Sequence, residues 1–200
     1  MLKKLLSSFA KNPWKLYAVS VGADYIDGGF LHSDRIVAHH HFFSVIVSIG
    51  TNQRGNNGYR YTRFRCSYIS NQQTYFSIKS KRFHMGFVKG LFSKKTTATL
   101  PIQKLYDIST PKEELISMLF EDQKFCTLLN TLSAFKFLSE KDDGEYGPDF
   151  LPAEHQLCLE LEGEVEDAEL LSAGIGIILA TVELFVNNGL LKQEKSSVIY

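Results

Sequence analysis

The sequence has little cysteine: three in 200 residues, an odd number with no C-x-x-C pair. That leaves neither a disulfide framework nor a cysteine-based zinc site. It also lacks a long apolar run. The longest uncharged one towards the C-terminus, 170–182, lies between Glu169 and Glu183, short of the roughly 20 residues that a membrane-spanning helix needs. The opening Met1-Leu2-Lys3-Lys4 resembles the start of a signal peptide, but Ser7, Ser8 and Lys11 interrupt the apolar stretch and no small-residue cleavage site follows. A cytoplasmic location, with room for peripheral contact with a membrane, is the expectation. No N-x-Ser/Thr sequon, P-loop, G-x-S-x-G elbow or H-E-x-x-H pair is present. What remains is 44% hydrophobic and 12% aromatic, which excludes a disordered chain and suffices for one domain with its own core.

Net charge is absent too, since 22 Lys+Arg balance 22 Asp+Glu, and the total names no partner. The distribution is uneven. Residues 1–100 carry 15 cations against Asp24, Asp27 and Asp34, a net +12, whereas residues 101–200 carry seven Lys, no Arg and 19 acids, a net −12. Such polarity fits a basic surface for an anionic partner. It fits equally two halves that attract each other, within one fold or between the subunits of a homo-oligomer.

Periodicity supplies the elements. Leu2, Leu5, Leu6 and Phe9 make residues 1–12 an N-terminal amphipathic segment. Asn12-Pro13 starts a second helix, with Asn as cap, Pro in the first turn, and Trp14, Tyr17, Ala18 and Val21 on one face. Period two then takes over at 42–49, at 59–68 and from Thr74 to Lys79, with a further strand around 35–39, predicting an antiparallel meander. On 59–68, Arg60, Thr62, Phe64, Cys66 and Tyr68 share one face, and Tyr59, Tyr61, Arg63 and Arg65 the other. Residues 81–96 read as a long loop or short amphipathic helix, and 104–108 as a short strand. Thr110-Pro111-Lys112-Glu113 is a capping box before a helix, and Asp122 and Asp167 cap two more. Strands at 135–138 and 156–161 flank an acidic loop, 140–152. The expected product is one α+β domain over 13–190, a mostly antiparallel sheet with helices on one face and the 168–187 helix central, followed by a frayed tail, 191–200.

Few residues suggest chemistry. His39 and His41 are the weak metal candidates, sharing one side of a strand, with Asp24, Asp27 or Asp34 as a third ligand; their spacing is unlike that of strong zinc motifs, and a packed strand end is the expectation. Cys66, Cys126 and Cys158 could each be a nucleophile only with a His base near in space, and Cys66 and Cys158 fall on strand faces that read as core. Gly174-Ile175-Gly176 sits within a helix, so Gly174 reads as a close-approach residue and not a dinucleotide turn. Tyr59, Tyr61, Arg63 and Arg65 interleave aromatics and cations, a pattern suited to single-stranded nucleic acid but equally to ordinary cross-strand packing. Lys81, Arg82, Lys89, Lys94 and Lys95 alternate with Phe83, Phe87, Leu91 and Phe92, which suits an anionic membrane surface.

Five short features, at Trp14, Tyr61 to Arg65, Phe87 to Phe92, Thr110 to Phe120 and Leu159 to Gly163, resemble those of a group of uncharacterised bacterial proteins. These share an early-Trp helix, a Tyr-Thr-Arg-aromatic-basic strand, a Gly-interrupted apolar loop, a capped helix and a Leu-x-Leu-Glu-x-x-Gly strand before the last helix. The resemblance covers most of 13–187 and implies no activity, cofactor or site residue. The functional expectation is a non-enzymatic binding or interaction module using Tyr59, Tyr61, Arg63, Arg65 and the 81–95 cations towards a membrane surface or an acidic protein, with no cofactor and nucleic acid disfavoured. The alternatives are a hydrolase-like enzyme built from residues distant in sequence, such as His39, His41 and Asp34, and a single-stranded nucleic-acid binder.

Overall fold

A computed structural model describes residues 12–29, 33–52, 59–83, 105–141 and 150–196. The 1–11 segment and the cations Lys89, Lys94 and Lys95 lie outside the described residues. Helix α1 (Pro13–Val21) starts as its sequence dictates: the Asn12 side chain accepts hydrogen bonds from the Trp14 and Lys15 N–H groups at 3.0 and 3.2 Å, with Pro13 in the first turn. Six strands follow: β1 (Asp24–Ile26), β2 (Arg35–His40), β3 (Phe43–Asn52), β4 (Tyr59–Ile69), β5 (Phe76–Ser80) and β6 (Tyr106–Ser109). Helices α2 (Glu113–Glu121) and α3 (Gln123–Asn130), strands β7 (Phe135–Glu140) and β8 (Glu154–Glu162), and helix α4 (Ala168–Asn187) complete the order.

All strand pairs are antiparallel and form one sheet, ordered β1-β2-β3-β4-β8-β7-β5-β6. The four helices pack on one face of it, giving the single α+β domain that the sequence predicts. The meander ends at β4, however. The strand beginning near Thr74 does not return beside 59–68; β8 and β7 stand between them. Side-chain chemistry explains the choice. Strand β8 sends Leu157, Leu159 and Leu161 towards the helices and Gln156, Cys158 and Glu160 to the opposite face, so it offers β4 an apolar partner on one side and an acid on the other. Strand β5 would have brought Lys79 against the arginines of β4.

The helix-facing core includes Phe64, Cys66 and Tyr68 of β4, the three leucines of β8, and Leu171, Ile178 and Phe185 of α4. By length and composition α4 could cross a bilayer, but more than half of its apolar window is buried inside the fold. Asp167 caps it, accepting from the Leu170 N–H at 2.9 Å, and Asp122 caps α3 through the Phe125 N–H at 2.6 Å. Thr110 does not cap α2. Its hydroxyl lies within donating reach of two carbonyls, that of Lys112 at 2.9 Å and that of Tyr75 across the sheet edge at 3.1 Å, and accepts from the Lys112 N–H at 3.1 Å, so the helix begins two residues later, at a Lys112 cap with no side-chain bond.

At the end of the sheet where β4 finishes, the residues expected to fray are held as far as 196. Leu191 is buried, the Lys192 N–H donates to the Ile69 carbonyl at 3.0 Å, and Ser196 donates to Glu154 at 2.9 Å. His155 is buried nearby, its ring stacked on Tyr68 and tilted against Tyr75, and its Nδ1 has no hydrogen-bond partner among the described residues. Burial holds this imidazole below its ordinary value, with the Lys141 charge adding to the effect, against the opposing hydrogen bond that the ring donates to the Ser70 backbone carbonyl. The unfolded chain therefore takes up a proton first, as pH falls below about 6.5, and stability declines from there towards the folded-state value. His155→Gln should flatten the dependence of melting temperature on pH across that window. An unchanged slope in the variant would show that His155 is not the group responsible.

Candidate functional site

The two charged halves meet inside the sheet. On the face away from the helices, the register sets Arg63 opposite Glu160, and the guanidinium reaches that carboxylate through Nε at 3.2 Å and Nη2 at 2.8 Å. Nη2 also donates to the Tyr61 hydroxyl at 2.7 Å, and the guanidinium lies 4.9 Å from the centre of the Tyr61 ring, a cation–π contact. Lys136 of β7 approaches Glu160 from the other side at 3.6 Å. Tyr61, Arg63 and Arg65 are only 3%, 5% and 3% exposed. The sequence reading of these three as a solvent-facing basic aromatic surface is corrected accordingly: pairing with β8 has drawn them into the fold. Tyr59, at the strand's start, is exposed.

The histidines and thiols are separated. Nε2 of His39 lies 3.1 Å from Asp24 and its Nδ1 2.9 Å from Ser44, both on the surface. His40 faces Glu183 of α4 at 3.5 Å, and His41 forms the turn into β3 at φ +54°. Asp34 precedes the other end of β2, so five residues of extended chain, about 16 Å, separate it from His39; the constellation His39, His41 and Asp34 is not assembled. No group of three or more His, Cys, Asp or Glu among the described residues is placed to hold a metal ion. Burial pushes the Cys66 thiol up to about 12, against a weaker hydrogen bond from Ser44, and raises Cys158 and Cys126 as well, with the charges of Glu160 and Asp122 adding to each in turn. All three remain thiols at neutral pH.

The antiparallel order gathers the start of β2, the end of β3, the starts of β4 and β7 and the ends of β5 and β8 at one end of the sheet. Here Tyr59, Arg60, Lys81 and Arg82 project. Lys81 and Arg82 occupy the exposed turn after β5, while Phe83 beside them is 3% exposed, with the Lys79 ammonium 5.7 Å from its ring centre. A cavity of about 370 Å³ opens at the same end, lined by Asn12, Pro13, Trp14, Ser33, Asp34, Ile49, Arg60, Glu164 and Glu166.

Its walls are fixed by three local devices. Gly163 leaves β8 at φ +81°, a conformation that side-chain-bearing residues resist, and its N–H donates to the Arg60 carbonyl at 3.0 Å. The Thr62 hydroxyl then accepts from the Val165 N–H at 2.8 Å and donates to the Gly163 carbonyl at 3.0 Å, and the Trp14 indole donates to the Val165 carbonyl at 2.7 Å. These bonds present Glu164 and Glu166 to the cavity, and Glu164 pairs with Arg60 at 2.9 Å. On the opposite wall, Asp34 accepts from the Tyr25 hydroxyl at 2.5 Å, the Asn12 amide at 2.7 Å and the Gly28 N–H at 3.1 Å. Burial works to raise the Asp34 carboxyl, but the bonds from Tyr25, Gly28 and Asn12 prevail and hold it below its ordinary value. Burial, followed by the hydrogen bond to Asp34 and its charge, raises Tyr25, which remains a phenol donor at neutral pH.

Comparison of the chain with family models, curated proteins and solved structures gives no match. The geometry is therefore the ground for a functional reading. Sequence reasoning missed the cavity because its lining comes from five separate stretches. Asn12 was read as a helix cap and Asp34 as a partner of His39 and His41, and neither signal pointed to this cavity.

Proposed function

We propose that this protein is a binding module that meets an anionic surface with the basic turn at the end of β5 and the cations that follow it in sequence. The observation carrying this reading is that Lys81 and Arg82 are exposed on a turn whose next residue, Phe83, is sunk into the fold. Lys89, Lys94 and Lys95 follow this turn in sequence and add to its positive charge. The strand arginines are engaged inside the fold, which narrows the surface to this end. An anionic bilayer supplies many phosphates to a segment mixing cations with Phe87, Leu91 and Phe92, each cation adding about 1 kcal/mol within a Debye length of the surface. Peripheral membrane contact follows as the proposed location.

Sedimentation with vesicles tests it. The protein should pellet with vesicles containing phosphatidylserine at low salt, release as salt rises, and ignore purely phosphatidylcholine vesicles. Lys89→Glu with Lys94→Glu and Lys95→Glu should abolish pelleting without lowering the melting temperature. Wild-type protein that stays in the supernatant with anionic vesicles at low salt would end this reading.

A further inference from the structure

We infer that the cavity between the start of α1 and the β8–α4 connection is a binding site for a small organic cation, an amine or guanidinium compound. This goes beyond the membrane reading and uses other residues. The volume, about 370 Å³, falls within the range of sites for small ligands, roughly 300–1,000 Å³. Pro13, Trp14 and Ile49 give it an apolar wall for a hydrocarbon stem, while Asn12, Ser33, Asp34, Arg60, Glu164 and Glu166 make the remainder polar.

Charge selects the ligand class. Among the described lining residues Arg60 is the cation and is matched by Glu164 at 2.9 Å, so of these residues Asp34 and Glu166 set the sign of the remaining field. The three donors on Asp34 are a phenol, an amide and a backbone N–H. They orient the carboxylate without cancelling its charge. A carboxylate accepts about four hydrogen bonds, so one direction remains for a ligand's N–H. Asn12 is itself fixed, as it also accepts from the first turn of α1, and the acceptor is thus in place before any ligand arrives. A ligand ammonium meets Asp34 and Glu166 while its alkyl part covers Pro13 and Ile49. An anion would have to displace Glu164 from Arg60 and approach two further carboxylates.

Three probes of matched shape, n-butylammonium, n-butyrate and n-butanol, test this by titration calorimetry and thermal shift on the full chain. Butylammonium should bind in the millimolar range and raise the melting temperature, weakening with salt, whereas butyrate and butanol should do neither. Glu166→Gln, at an exposed position with no hydrogen bond to the Asp34 group, should weaken butylammonium about five-fold, the effect of one exposed charge pair, with an unchanged melt. Asp34→Asn should weaken it further and also lower stability. Binding of butyrate as strong as that of butylammonium, no binding of any probe at millimolar concentration, or a Glu166→Gln protein that binds butylammonium like wild type would each overturn the inference. Vesicle sedimentation is insensitive to these outcomes, so failure of one reading leaves the other to be judged by its own assay.

Discussion

Arg63→Ala should destabilise the fold by about 3–5 kcal/mol, the cost of leaving a buried charge without its partner. Glu160 is nearly as buried as Arg63, and the contact between them combines charge with two hydrogen bonds. Removing the guanidinium also takes a donor from the Tyr61 hydroxyl. Lys136, at 3.6 Å, supplies partial compensation, which favours the lower half of that range. Chemical denaturation should show the loss as a lower midpoint with an unchanged slope. Arg63→Met with Glu160→Leu should cost much less than the single change, because no buried charge is then stranded and Lys136 is open to water. A single variant as stable as wild type would mean that the β4–β8 pair contributes no net stabilisation.

Gly174→Leu carries the other large effect. Gly174 lies where α4 crosses β4, and an added Cβ would come within 2.5 Å of the Phe64 ring. Phe64 is fully buried and has no room to swing away, so the helix must lift or the ring must leave its rotamer. Overpacking of this kind costs about 1–3 kcal/mol and sometimes more. Leucine recovers a little under 1 kcal/mol of helix propensity relative to glycine, and the clash outweighs it. Gly174→Ala places the same first atom with less bulk and should fall between wild type and leucine. A melt unaffected by Gly174→Leu would contradict this packing of α4 on β4.

The legible parts of this fold were those governed by neighbours in sequence. Period two sorted Phe64, Cys66 and Tyr68 from Tyr61, Arg63 and Arg65 correctly, and Asn12, Asp122 and Asp167 announced their helices because a cap acts within three residues. Thr110 carried the same signal and failed, since its hydroxyl is taken up by the N–H and carbonyl of Lys112 and, in part, by the Tyr75 carbonyl 35 positions away. The burial of Arg63 was hidden for a similar reason. Strand 59–68 shows which residues share a face but not what covers that face or lies beside it, and Glu160 is 97 positions away. The opposite charges of the two halves did point to attraction between them, and the β4–β8 register shows part of that attraction satisfied inside one sheet. The Asp34 group was not legible as a group: Asn12 read as a cap and Asp34 as a partner of His39 and His41, and only the fold brings Asn12, Tyr25 and Asp34 together.

The central claim is that cations on the strand hold the sheet together while those at its end meet an anionic surface. Vesicle sedimentation of Arg63→Gln beside a Lys81→Gln, Arg82→Gln protein, run below the melting temperature of both, tests it most directly. If the claim holds, the folded Arg63→Gln protein pellets with phosphatidylserine vesicles as wild type does and the turn variant pellets markedly less. A turn variant that pellets like wild type, with Arg63→Gln left in the supernatant, would place the binding surface on the strand and contradict the account.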